Sequence, residues 1–311
     1  MYEAAAERGW PRMDPPNVLW FFGAFAIEAA VYGLIQSIPG NQDGLWRLVA
    51  AVGFFVAFAL IATALLRRLW WVPGGLAAAL AVATFPAVAV GFLQLVDVWP
   101  EGGFFDPFSE FSGYGFGVAI ATVVVGLIAF ALTAFPFLLA VTIGALLAAS
   151  QLLVPGFTDG VRGDDRAAMA LIVAALLIVA GVFLDVFGRR RDAFWFHVFG
   201  WLTAAAALIW FAFEPNSDHD YGWTPMLILG LALIVIAGPI GRATWAVYGV
   251  LAVYASTAHY LSDWLNENRW PFALLMLALG LAIFIAGMLT HRYGKSWAQR
   301  FVRRPPPELS P

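Results

Sequence analysis

The feature that most constrains this chain is the recurrence, from Val18 to His291, of apolar stretches about twenty residues long separated by short polar breaks. Twenty residues of α-helix rise about 30 Å, which matches the hydrocarbon thickness of a bilayer. Within hydrocarbon a backbone must satisfy its own N–H and C=O groups, as a helix does and an open strand edge does not. The sequence therefore predicts an all-α, polytopic transmembrane bundle of ten helices: Val18 to Gln36, Leu45 to Leu66, Val72 to Val96, Phe116 to Leu132, Pro136 to Val154, Ala167 to Phe187, Ala193 to Phe213, Pro225 to Ile240, Arg242 to Leu261 and Pro271 to His291. The breaks fall at Pro39-Gly40, Pro73-Gly74-Gly75, Pro136, Pro155-Gly156, Pro215, Pro225 and Pro271, residues that end helices or open them. Composition agrees, since 62% of the chain is hydrophobic and 12% charged, against roughly 45–50% and 25% in soluble domains.

Three segments follow. Residues 1–17 form a polar lead, 18–291 the transmembrane domain, and 292–311 a basic amphipathic and Pro-rich tail. The first apolar run, Val18 to Ile35, is longer than the core of a signal peptide and lacks a small-x-small cleavage site, so it reads as a retained helix. Placing the N-terminus in the cytosol puts Arg8, Arg12, Arg67, Arg68, Arg189, Arg190, Arg191, Arg242, Arg292, Lys295, Arg300, Arg303 and Arg304 inside, thirteen of the seventeen basic residues. Only Arg47, Arg162, Arg166 and Arg269 lie outside. This is the positive-inside bias of a cell-membrane protein with an even number of crossings and both termini cytosolic. Acidic residues mirror it, with Asp97, Glu101, Asp106 and Glu110 in one outer loop and Glu214, Asp218 and Asp220 in another. In the tail, Tyr293, Trp297 and Phe301 share a helical face among basic residues, a pattern suited to anionic lipids at the inner surface.

Several function classes drop out. A net charge of -3 with scattered basic residues gives no nucleic-acid footprint. Zero cysteines removes disulfides, thiolate metal ligands and cysteine nucleophiles. The single lysine, Lys295, lies in the tail, so no Schiff base can form within the membrane. No Walker loop, Gly-x-Ser-x-Gly elbow or dinucleotide fingerprint is present, and no cofactor is expected.

Small residues recur every fourth position as Ala79, Ala83, Ala87 and Gly91, and again as Ala278, Ala282 and Ala286, so these helices are expected to pack closely. Pro86 should kink the first of them. A weak repeat is also visible. Trp20-Phe21 recurs as Trp195-Phe196, and Arg68, Trp71 and Gly75 recur as Arg242, Trp245 and Gly249. The tetrads Asp43-Gly44-Leu45-Trp46 and Asp220-Tyr221-Gly222-Trp223 each open the next helix. An even offset pairs helices one to four with seven to ten as a parallel repeat.

An ionisable group at bilayer depth is costly unless it is satisfied, so it marks a candidate site. Glu28 lies near the middle of the first helix, one turn before Tyr32, whose hydroxyl is positioned to bond it, and is a candidate proton or substrate site. His197, near the inner end of an aromatic helix, is a third candidate for proton relay or for hydrogen-bonded packing. Asp185 is expected to pair with Arg189 at i, i+4. His259 and Asp263, with His219, are weak candidates for a metal site, though no metal-binding motif surrounds them. Gly113, Gly115 and Gly117 read as a flexible lead into the fourth helix. The aromatic and acidic loop around Phe104, Phe105, Phe108, Phe111 and Tyr114 reads as an interfacial loop or lid.

Polar residues within the spans are few, and Thr63, Thr84, Thr122, Thr142 and Thr203 make a thin lining for a hydrated path. The reading is an integral membrane protein acting as a non-catalytic scaffold, sensor or partner subunit. The alternatives are a small-solute transporter centred on Glu28 and an intramembrane metal-dependent enzyme.

Overall fold

Each predicted span that can be compared falls on a helix, because length and apolarity alone demand one there. The structure, a computed structural model, describes residues 15–38, 44–99, 112–158, 162–213, 222–265, 271–278, 280–281 and 285. The helices are α1 Pro15–Ser37, α2 Leu45–Arg67, α3 Trp71–Leu95, α4 Gly113–Thr133, α5 Phe137–Leu153, α6 Gly163–Val186, α7 Arg190–Ala212, α8 Trp223–Ile240 and α9 Ala243–Trp264. A 3-10 turn, Val154–Gly156, extends α5, and residues 271–278 are helical. Among the described residues there is no strand. The lead before Pro15, the acidic stretches at 101–111 and 214–221 and the tail at 292–311 lie outside the described residues, as does most of the second alanine stripe.

The fourth helix begins earlier than expected. Ser112 caps it, its Oγ accepting the Gly115 N–H at 3.1 Å, so Gly113, Gly115 and Gly117 are its opening turns and not a flexible lead.

The chain divides into two units, residues 1–199 and 200–311. In the first, α3 packs against α1, α2, α4 and α5. Its residues Gly74 to Val82 are all buried, and the reason is their size. Gly75 lies under the ring of Phe135 with no room for a Cβ, while Gly91 faces the backbone of Leu48 on α2, where an added Cβ would stand 3.1 Å from Cα. Small residues let backbones approach where lipid provides no hydrophobic drive between helices. Phe135 is almost wholly buried in the α4–α5 turn, which Ala134 closes at φ 52°. Its ring meets Trp71 and Phe137 edge-on at 6.1 and 6.5 Å.

Large apolar residues point the other way. On α6, Ile172, Leu176, Val179 and Phe183 are each about 60% exposed. Their spacing of four, three and four residues makes one continuous helical stripe. The buried face of the same helix carries Val173, Ala174, Leu177 and Gly181. An apolar exterior of this extent has no place in water. Among the described residues, seven helices, α1 to α7, are long and apolar enough to cross a membrane, and α8 adds a shorter apolar helix. The chain is an integral, multi-pass membrane protein.

In the second unit α8 and α9 form a tight hairpin, turned at Gly241 with φ 69°. Gly230 and Gly249 sit against one another, each so placed that an added Cβ would come within 2.8–2.9 Å of the other's carbonyl oxygen. The matching α2–α3 hairpin turns at Leu69, φ 63°. In both hairpins the repeated tryptophan meets an aromatic ring edge-on, Trp71 on Phe135 and Trp245 on Trp201. The likeness stops there: the left-handed residue follows Arg68 in one turn and precedes Arg242 in the other, and Gly75 packs on Phe135 whereas Gly249 packs on Gly230.

Replacing Gly75 by valine should lower stability by about 1–3 kcal/mol through overpacking against Phe135. Gly23→Ala, inside α1 at a site with nothing within 4 Å, should not lower stability and should raise it by up to about 1 kcal/mol, since alanine is the better helix former. Denaturant or thermal unfolding of the two variants in lipid nanodiscs checks the contrast.

Candidate functional site

Glu28 is held in mid-helix on the face of α1 that meets α3. The same face supplies Val31 and Ile35, both buried against α2 and α3. Tyr32 stands one turn beyond Glu28. Its hydroxyl donates to the carbonyl of Ala83 at 2.9 Å, so the bond to Glu28 expected from spacing is not made. The recipient is a backbone group next to Val82, whose carbonyl would in a regular helix accept from the N–H that Pro86 lacks. A neighbouring side chain thus binds the stretch of backbone beside the proline, in the way membrane helices accommodate prolines.

Thr84 stands beside the Glu28 carboxyl. Its hydroxyl donates to the Leu80 carbonyl at 2.8 Å, leaving only acceptor lone pairs toward its neighbours. Both Glu28 oxygens are shut off from the surface and have no hydrogen-bond partner among the described residues. Glu28 lines a pocket of about 70 Å³ between α1, α3 and α5, together with apolar residues including Phe21, Phe25, Leu80 and Phe137. Phe137 meets Phe21 and Phe25 edge-on at 5.1 and 6.1 Å. Phe25 is 60% exposed, so the aromatic wall is also part of the lipid-facing surface. A second apolar pocket, about 100 Å³, lies between α3, α4 and α5 beside Pro86 and Thr122.

His197 is a separate centre at the α6–α7 turn. Its ring is completely buried, and Nε2 lies 2.9 Å from Oδ2 of Asp185. Arg189, expected to pair with Asp185, instead holds Asp192 at 2.7 Å. The tight turn at Gly188, φ 76°, reverses the chain so that residues twelve apart face each other. Gly181 provides the socket: a Cβ there would stand 2.9 Å from the imidazole Cε1. Spacing along one helix pointed to Arg189, and only the turn geometry brings His197 to the carboxylate. The signal that was legible is the glycine four residues before Asp185.

His259 on α9 stacks on Trp223 with ring centroids 4.4 Å apart and planes 14° from parallel. Beside it the hydroxyls of Thr224 and Tyr260 share a hydrogen bond of 2.6 Å. His219 and the Asp263 side chain lie outside the described residues. Among the described residues no group of three metal-ligating side chains occurs. Tyr114 is exposed at the start of α4, and the other aromatics of its loop lie outside the described residues.

No family model, curated protein or solved structure matches this chain.

The Asp185–His197 contact should show a coupling of about 1–3 kcal/mol in a double-mutant cycle of Asp185→Ala and His197→Ala. Additive losses of stability would mean that the two side chains do not act on each other.

Proposed function

We propose that this protein is a non-catalytic membrane scaffold, sensor or partner subunit in the cell membrane, with both termini cytosolic. One observation carries the reading. Four threonines within the spans turn their hydroxyls back onto their own helices: Thr63 donates to Ala59, Thr84 to Leu80, Thr122 to Val118 and Thr142 to Leu138, each at 2.8 Å to the carbonyl four residues earlier. A path for a polar solute needs such groups aimed into it, replacing the water the solute sheds. Here they are consumed locally, and both pockets are walled by apolar side chains. The sidedness rests on the thirteen-to-four distribution of basic residues.

A small-solute transporter with Glu28 as its proton or substrate site is the second reading. It is favoured by the unpartnered carboxyl in its pocket. Reconstitution separates the two. Proteoliposomes are expected to take up sugars, amino acids and inorganic ions no faster than empty liposomes under an imposed pH gradient, with Glu28→Gln making no difference. Uptake that Glu28→Gln abolishes in a folded protein would overturn the non-catalytic reading. Tags at the two ends should both be cleaved by added protease in inside-out vesicles and both be protected in right-side-out vesicles.

A further inference from the structure

We propose that α1 is a proton-dependent latch: as a neutral acid Glu28 joins Tyr32 in tying α1 to α3, and loss of its proton releases the helix from the first unit. The device rests on the sensor form of the reading above and names what is sensed, proton activity.

Packing holds α1 loosely. From Leu19 to Ser37 only Val31 and Ile35 are buried. A Cβ added at Gly23 or Gly33 would meet nothing within 4 Å, so these glycines give α1 none of the close backbone approach that Gly91 gives α3. Helices in lipid associate through close packing and hydrogen bonds, and where the first is sparse the second carries more of the attachment. On the face that meets α3, α1 offers two polar groups: the Tyr32 hydroxyl, which donates to the Ala83 carbonyl at 2.9 Å, and the Glu28 carboxyl.

The surroundings set the protonation state. Both Glu28 oxygens are closed off and have no hydrogen-bond partner among the described residues. No basic residue lies on α1, α3 or α5, and the one other titratable side chain on them is Tyr32. On α2, which also packs on α1, no titratable residue lies between Arg47, whose guanidinium donates to the Ile38 carbonyl, and Arg67. A charge placed here has no compensation, and a buried carboxyl in that position takes a proton instead. The proton turns an acceptor-only group into a donor. Thr84 stands beside it as an acceptor, because its own hydrogen goes to the Leu80 carbonyl at 2.8 Å. The neutral acid thus has an acceptor on α3, where the carboxylate has no donor.

Ala83 and Thr84 lie just before Pro86, where α3 is already one backbone bond short, so both ties grip α3 at its weakest stretch. An ionised Glu28 is poorly housed among Phe21, Phe25, Leu80 and Phe137, and it reaches water only when α1 moves off α3. Once in water a glutamate ionises in its ordinary range, at about pH 4. Release is therefore opposed below that range and favoured as the pH rises above it, and with one proton lost per release the ratio of released to tied molecules changes by up to about tenfold per pH unit.

A chain without cysteine takes spin labels cleanly. Gln36→Cys near the end of α1 and Val96→Cys just past α3, both exposed, are labelled in the full chain in phosphatidylcholine nanodiscs and their separation read by pulsed electron paramagnetic resonance. One short distance is expected at about pH 5, with a longer one whose weight relative to it grows about tenfold or more by about pH 8. Glu28→Gln, which keeps a donor and cannot ionise, should hold the short distance at both. Tyr32→Phe, which removes the other tie, should raise the longer population throughout and keep the pH response. In wild type at about pH 6, infrared spectra should show the carbonyl band of a protonated carboxyl, absent in Glu28→Gln. A wild-type distance indifferent to pH, a pH response that survives in Glu28→Gln, or no such band in wild type would overturn the latch and leave the non-catalytic reading standing. Glu28-dependent solute uptake in proteoliposomes, with the pH response of the distance intact, would support the latch and overturn that reading.

Discussion

The first unit depends on a helix with almost no side chains where it is most crowded. From Gly74 to Val82, α3 is buried on every face, and only glycine, alanine and slim aliphatic residues allow α1, α2, α4 and α5 to close on it. In lipid, association between helices comes from close packing and from hydrogen bonds, since the surrounding chains are as apolar as leucine. The Phe135 ring seated over Gly75 ties the α4–α5 turn to the foot of α3. A bulkier residue at Gly75 therefore disturbs a turn sixty residues away as well as its own helix.

The same packing shapes the functional reading. Because α1 lies against α3, Glu28 is carried into a space bounded by alanines and phenylalanines, and the nearby hydroxyls are already engaged with backbone carbonyls. Threonines that would hydrate a channel elsewhere bond their own helices here. Two ionisable centres stand out within the first unit, the Glu28 carboxyl and the part-buried Asp185–His197 pair. The first has no hydrogen-bond partner and the second does.

Much of the architecture was legible in the sequence because the bilayer imposes one rule on every span. The predicted boundaries of α2, α3 and α5 lie within a few residues of the observed helices. The glycines at 113, 115 and 117 misled because glycine disfavours helix in general, whereas a serine cap at Ser112 fixes the first turn here. Glu28 stood out as the one acid in the span Val18 to Gln36. The nearness of Tyr32 to it was legible, but its bond to another helix was not, since a backbone carbonyl across an interface leaves no mark in composition. His197 was visible as a residue and invisible as half of a pair: the pairing depends on how tightly the chain reverses at Gly188, and spacing along one helix favoured Arg189 for Asp185. The stacking of His259 on Trp223 was hidden for the same reason, being set by the α8–α9 hairpin.

The first unit is turned outward, with small residues inside and large apolar ones against lipid. A photoactivated diazirine dissolved in the acyl phase of proteoliposomes, with the labelled residues read by mass spectrometry, tests it on the unaltered chain. Label is predicted on Phe22, Ile172, Leu176, Val179 and Phe183, with α3 from Ala77 to Val82 unmarked. Labelling of α3 at three- and four-residue intervals, with the α6 stripe protected, would contradict it.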